Sequence, residues 1–182
     1  MGGAMKNARR MLCVNELNLD TRYEVGMYGG KFMPMHKGHL HCLEVASRLC
    51  ERVYLLLFVG GYMEKLVREL DDRNILSDES RWRVVRDVAG RFDNVIPKCI
   101  DVSECVTPDG AEDWYAETPL VLDACGHIDA VFSSEPELYD LYFKSEYPDA
   151  DHIIVDANRE VVPISATDIR HMTDEEAARW ML

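Results

Sequence analysis

The stretch GGKFMPMHKGH, residues 29–39, places glycines, a proline, a lysine and two histidines directly after an apolar run. The leading glycine pair allows the backbone to turn closely beneath a ligand. His36 and His39 are three residues apart at the predicted start of a helix, so their rings lie on neighbouring faces of its first turn. The free N–H groups of that turn, the helix dipole and the imidazoles together predict an anion site, to which Lys31 adds a charge.

Apolar and amphipathic segments alternate along the chain on both sides of this stretch. The predicted strands are apolar throughout, and the segments between them have helical spacing. The predicted strands are 23–29, 52–60, 94–102, 129–135 and 151–157, and the predicted helices are 37–50, 77–92, part of 111–126, 136–146 and 173–182. Apolar strands separated by helices predict an α/β fold, with a parallel sheet covered by helices on both faces.

The unusual residues follow predicted strands. They are found at 29–39, at 133–135 and at 165–170, each near the carboxyl end of a strand or in the loop beyond it. Ligands of parallel α/β sheets bind at those ends. We therefore expect the three segments to meet at one edge of the sheet.

Composition limits the function classes. The 182 residues are 47% hydrophobic and carry a formal charge of −13, which fits a globular domain and disfavours nucleic-acid binding. The six cysteines are scattered, and neither a secretion signal nor a membrane span is recognisable, so a cytoplasmic protein with reduced thiols is expected. Weak periodicity predicts a partly mobile N-terminal extension over residues 1–22, followed by a single domain over 23–182.

Two short motifs resemble signatures of one enzyme superfamily. The first, at 29–39, resembles the pattern G-x-F-x-P-x-H-x-G-H of the nucleotidylyltransferases, and ISATDIR at 164–170 resembles their I-S-x-T-x-x-R pattern. The matching positions are Gly30, Phe32, Pro34, His36, Gly38 and His39 in the first motif, and Ile164, Ser165, Thr167 and Arg170 in the second. The resemblance spans most of residues 23–171 and implies a Rossmann-like α/β domain of the nucleotidylyltransferase type.

The resemblance implies a reaction in which a phosphate on one substrate attacks the α-phosphate of ATP and pyrophosphate leaves. Positioning and charge stabilisation dominate such chemistry. The catalytic residues it implies are His36 and His39 at the α-phosphate, together with Arg170, and Lys31 joins this set through its charge beside the first motif. The residues it assigns to ATP are Gly29, Gly30, Phe32, Gly38, Ser165, Thr167 and Arg170. Mg²⁺ is expected to be held mainly by substrate phosphates and water, and no residue is assigned to it.

The acceptor is implied by the second half of the chain. The stretches VFSSEPELY and HIIVDANREVVPISATDIR are most similar to nicotinamide mononucleotide (NMN) adenylyltransferases, especially the adenylyltransferase domain of bifunctional enzymes that also carry a ribosylnicotinamide kinase. Trp114 is predicted to stack on the cationic nicotinamide ring, with simple packing as the alternative. The other residues assigned to the acceptor are Arg81, Ser133 and Ser134.

Three alternatives stay open from the sequence. The same transfer can serve another acceptor: phosphopantetheine, a flavin nucleotide, or glycerol phosphate with CTP. The chain can instead be a module that senses NAD or NMN without turnover. Zinc binding by His36, His39, His41 and Cys42 is the third, although four ligands on one short segment would strain a tetrahedral site. The sequence also leaves open a homo-oligomer and the choice between NMN and its nicotinic acid form.

Overall fold

The computed structural model describes residues 10–18, 20–70 and 73–182, and the elements named here lie within those ranges. The strands are β1 (Met11–Cys13), β2 (Tyr23–Gly30), β3 (Cys50–Val59), β4 (Val95–Asp101), β5 (Ala130–Ser133) and β6 (Asp151–Ile154). The helices are α1 (Lys37–Leu49), α2 (Tyr62–Leu70), α3 (Asp78–Ala89), α4 (Trp114–Cys125), α5 (Lys144–Glu146), α6 (Ala166–Arg170) and α7 (Asp174–Ala177), with a 3₁₀ turn at Val14–Glu16 and a π-helical segment at Tyr139–Phe143.

The described strands form one parallel sheet in the order β1-β6-β5-β2-β3-β4. Strand β3 shows why helices cover both faces, because successive side chains of a strand point to opposite sides. Leu55 and Leu57 pack with α1 and α3 on one face, whereas Leu56 packs with α4 on the other. All three leucines are fully buried. The predicted α/β class with helices on both faces is therefore confirmed.

Local signals account for several element boundaries. Ser77 caps α3 by accepting a hydrogen bond from the N–H of Ser80, and Gly90 ends that helix. Pro97 lies in β4, which is an edge strand, where a residue without an N–H is tolerated. The predicted final helix is shorter than expected, because the chain turns after α7 and Met181 forms a bridge with His36.

The N-terminal segment contributes to the sheet. Met11–Cys13, which the sequence assigned to an extension outside the domain, pair with β6 and form the edge strand β1. Residues 1–9 and residue 19 lie outside the described residues, so the predicted extension stays a prediction there. Within the described ranges no helix has both the length and the apolar character needed to cross a bilayer.

Candidate active site

A cavity of about 470 Å³ lies at the carboxyl ends of the central strands. Gly29 and Gly30 line it at the end of β2, Ser133 at the end of β5 and Asp156 just after β6. The chain continues from β2 to β3 on one side, and β5 pairs with β2 on the other side. The cavity therefore lies where the strand order reverses, which is the usual ligand site of an open parallel sheet.

The two motif segments meet in this cavity, although more than a hundred residues separate them. His36, Gly38 and His39 line it from the start of α1, and Ser165 and Thr167 line it from the start of α6. The approach is close, because a Cβ built on Gly38 would lie 3.9 Å from the carbonyl oxygen of Ile164 and 2.9 Å from the His36 ring. Glycine at position 38 thus keeps open the space between the segments.

The two histidines are fixed by backbone hydrogen bonds. Nδ1 of His36 accepts the N–H of Gly38 at 3.1 Å, and Nδ1 of His39 accepts the N–H of His36 at 3.1 Å. Their ring centroids are 3.7 Å apart, and Phe32 packs its edge against His39 with centroids 5.0 Å apart. Because Nδ1 of each ring is an acceptor here, Nε2 is the nitrogen that carries the proton in the neutral ring.

The surroundings keep both imidazoles neutral at ordinary pH. Burial lowers the pKa of His36 to about 4, and the charge of Arg159 acts in the same direction. Burial also lowers the pKa of His39 well below its usual value, with smaller contributions from His36 and Arg159. The cavity therefore contains two adjacent, neutral, preoriented Nε2–H donors, and such donors suit an anion whose charge grows during a reaction.

This arrangement predicts the tautomers of both rings. At pH 6 to 7, long-range ¹H–¹⁵N correlation spectra should show His36 and His39 with Nε2 protonated and Nδ1 bare. Because the pKa of His36 is about 4 when folded and near 6.5 when unfolded, the unfolded chain binds more protons in between. Stability should accordingly decline as the pH falls from about 6.5 to 4. A doubly protonated His36 at pH 6 would contradict this geometry.

The second motif folds into a capped turn. Ser165 Oγ accepts the N–H of Asp168 at 3.0 Å, and the Asp168 carboxylate accepts the Ser165 N–H at 2.9 Å. Arg170, predicted to hold phosphates, is not part of the cavity lining. It donates to the carbonyl oxygen of Met33 at 2.7 Å and to Thr167 Oγ1 at 3.0 Å, so it ties α6 to the loop before α1.

Lys31 and Trp114 are joined through Glu112. Lys31 Nζ lies 2.8 Å from one Glu112 carboxylate oxygen, and that oxygen also accepts the Trp114 Nε1–H at 2.8 Å. Lys31 and Trp114 both line the cavity. The indole is therefore held at the cavity wall through its N–H, while the charge of Lys31 is already paired.

Arg81, which the sequence assigned to the acceptor, is buried away from the cavity in this structure. Its side chain is 1% exposed and lies outside the cavity lining. It pairs with Glu64 at 2.6 Å and with Asp78 at 2.9 Å, and it donates to the carbonyl oxygen of Lys31 at 2.5 Å. The sequence predicted a loop at 60–76 whose role it left open, including a part in shaping the acceptor pocket; within the described part of that segment, α2 supplies the buried Glu64.

The two serines after β5 differ in their environment. Both line the cavity. Ser133 is buried, and its hydroxyl is 2.7 Å from Nε2 of His152 and accepts the Glu135 N–H at 3.1 Å. That hydroxyl is thus engaged within the protein. Ser134 is half-buried and stays a candidate for a substrate contact.

Four charged residues to which the sequence assigned no role line the cavity: Glu117, Glu135, Asp156 and Arg159. Burial, followed by the charge of Glu112, raises the pKa of Glu117 to about 7. Burial, followed by Glu137, raises the pKa of Glu135. Asp156 and Arg159 follow β6, and their position after a strand was the one sequence signal that pointed to them.

Comparisons with known proteins identify a family that covers most of the chain. The model of the cytidylyltransferase-like family matches residues 27–172, which include both motifs. A phosphopantetheine adenylyltransferase from Streptococcus gordonii is 31% identical over 72 residues, which are 40% of this chain and 38% of that protein. The chain therefore matches less than half the length of this curated relative.

Solved structures share the fold. A crystal structure of NadR protein in complex with NAD and AMP-PNP is 20% identical with a TM-score of 0.58, covering 88% of this chain and 45% of that one. A bifunctional NMN adenylyltransferase/ADP ribose pyrophosphatase from Francisella tularensis is 18% identical with a TM-score of 0.54, covering 82% of this chain and 41% of that one. At these identities the likeness establishes the fold alone.

Proposed function

Because the chain belongs to the cytidylyltransferase-like family, we propose that it is a nicotinamide-nucleotide adenylyltransferase, which converts ATP and NMN to NAD⁺ and pyrophosphate. The observation that carries this proposal is the meeting of residues 36–39 and 165–167 at one cavity, with two neutral imidazole donors beside the start of α6. The nucleotidylyltransferase resemblance itself is confirmed by the family match.

The transfer needs few covalent steps from the protein. A phosphate oxygen of NMN attacks the α-phosphorus of ATP in line, a new P–O bond forms, and the bond to the β-phosphate breaks as pyrophosphate leaves. The nucleophile is already an anion, so the site needs no general base for it. His36 and His39 would donate from Nε2 to α-phosphate oxygens, whose charge rises in the transition state.

Magnesium fits the site as a companion of the nucleotide. Within the described residues no group of three His, Cys, Asp or Glu side chains is placed to hold a metal ion. Asp156 lines the cavity, but its carboxylate already accepts three backbone N–H groups. Mg²⁺ held by phosphate oxygens and water would neutralise phosphate charge during the transfer.

The acceptor end of the cavity has the chemistry for a cationic aromatic ring. The indole of Trp114 lines it and packs against Tyr142, with ring centroids 6.0 Å apart. Glu117 and Glu135 add carboxyl groups to the same lining. A pyridinium ring gains cation–π attraction from the indole and electrostatic attraction from ionised carboxylates, whereas a neutral acceptor gains less.

Adenylyl transfer to phosphopantetheine is the second candidate, because the curated relatives that match part of the chain are phosphopantetheine adenylyltransferases. Purified protein with ATP or CTP and a panel of acceptors, followed by pyrophosphate release, separates the two. The panel contains NMN, nicotinic acid mononucleotide, phosphopantetheine, glycerol phosphate and flavin mononucleotide. We expect the highest kcat/KM with ATP and NMN. Ligand binding without pyrophosphate from any pair would favour a sensing module instead.

Replacing Trp114 with alanine tests the acceptor assignment. We expect the KM for NMN to rise about 10-fold, as one lost cation–π and stacking contact implies, while the KM for ATP changes little. Trp82→Phe is the matched control, because Trp82 lies on α3 against the core and outside the cavity lining. Equal increases in both KM values would contradict an acceptor-specific role for Trp114.

A further inference from the structure

The positive charges close to the two motifs are mostly paired already. Lys31 is bound to Glu112, Arg81 to Glu64, and Arg170 to the carbonyl oxygen of Met33. Arg159 differs, because it lines the cavity and its side chain makes no hydrogen bond or ion pair within the described part of the chain. A triphosphate entering the cavity would find its guanidinium available.

The loop that carries Arg159 is held in one conformation. The Asp156 carboxylate accepts the N–H groups of Glu160, Val161 and Val162 at 2.7, 3.0 and 2.9 Å. The N–H of Arg159 donates to the carbonyl oxygen of Asp156 at 2.9 Å, which closes a turn. Asp156 and Arg159 have φ values of 51° and 53°, in the left-handed region that non-glycine residues rarely adopt. Backbone strain held in place at a cavity is typical of a functional site.

The charge of Arg159 acts on the reacting end of the cavity. It lowers the pKa of both His36 and His39, after the larger effect of burial, so its field reaches the two predicted donors. It also opposes the increase in the pKa of Glu135. In a chain of net charge −13, a local cation of this kind is required to make the cavity attractive to a polyanion.

We propose that Arg159 binds the phosphates of the bound ATP and that Asp156 positions it by holding the loop 156–162. This inference rests on the proposed function. It gives Arg159 a phosphate-binding role that the sequence analysis expected of Arg170 and Lys31, both of which already have partners within the protein. A guanidinium is suited to the task, because its fork of donors matches two phosphate oxygens at once.

Calorimetric binding of MgATP and of AMP to Arg159→Ala tests the assignment. We expect the affinity for MgATP to fall about 10- to 100-fold, as the loss of a charge-assisted contact implies, and the affinity for AMP to fall much less. Arg159→Lys keeps the charge and should recover part of the loss. Arg83→Ala is the matched control, since Arg83 is an exposed arginine on α3 that pairs only with Glu79 within the described structure, at 3.8 Å. Equal losses for MgATP and AMP, or no loss for either, would overturn the role of Arg159.

A double-mutant cycle tests the positioning role of Asp156. Asp156→Ala should weaken MgATP binding in the natural chain but add little in the Arg159→Ala background, because its effect acts through the arginine. Equal effects in both backgrounds would overturn it. A failure of the proposed function gives a different result: the unmodified chain binds MgATP but makes no dinucleotide from NMN. If the unmodified chain bound no MgATP, the Arg159 assignment would fail as well.

Discussion

Replacing His39 with alanine is expected to lower kcat for NAD⁺ formation by about 100-fold or more while the fold is retained. The ring presents Nε2–H to the cavity because its Nδ1 accepts the backbone N–H of His36 at 3.1 Å. A neutral donor fixed in this way contributes little to ground-state binding and much to a transition state with higher oxygen charge. The loss should therefore appear in kcat more than in the affinity for MgATP.

The measurement is steady-state pyrophosphate release, with calorimetric MgATP binding and circular dichroism on the same preparations. His41→Ala is the control, because His41 lies on the same helix, is partly exposed and is not part of the cavity lining. It should retain the rate of the unmodified chain. A His39→Ala protein that turns over normally would remove the imidazole from the mechanism, whatever happened to its stability.

The parts of the site that the sequence predicted are those encoded locally. His36, Gly38 and His39 are fixed by the first turn of α1, whose hydrogen bonds involve residues two or three apart. The start of α6 is likewise a capping box within four residues, Ser165–Asp168. Both segments follow strands of the parallel sheet, so their meeting at one edge could also be predicted.

The parts that were missed depend on tertiary contacts. Arg170 and Arg159 are eleven residues apart, and no sequence pattern distinguishes the guanidinium that binds backbone from the one that makes no hydrogen bond in the described structure. The strand at 11–13 was missed because three residues have no measurable period, and its partner β6 is 141 positions away in the chain. Trp114 was predicted at the acceptor site and does line the cavity, although its ligand contact stays a prediction.

Arg81, which the resemblance assigned to the acceptor, lies outside the cavity lining, with 1% of its side chain exposed. Glu64, its partner at 2.6 Å, is equally enclosed, with 4% of its side chain exposed. Such a pair contributes modestly when intact, because each charge loses its hydration on burial. Removing Arg81 alone is different, because the Glu64 carboxylate then stays buried with less interaction energy to offset its lost hydration.

Arg81→Met is accordingly expected to lower the free energy of unfolding by about 3 to 5 kcal/mol, measured by denaturant titration. Arg68→Met is the control, because Arg68 also pairs with Glu64 at 3.1 Å but is 32% exposed, and its loss should cost about 1 kcal/mol or less. Adding Glu64→Leu to Arg81→Met should recover part of the loss, because the buried carboxylate that has lost its buried partner is then gone. If Arg81→Met instead kept full stability and raised only the KM for the acceptor, the buried ion pair would not be the function of this arginine.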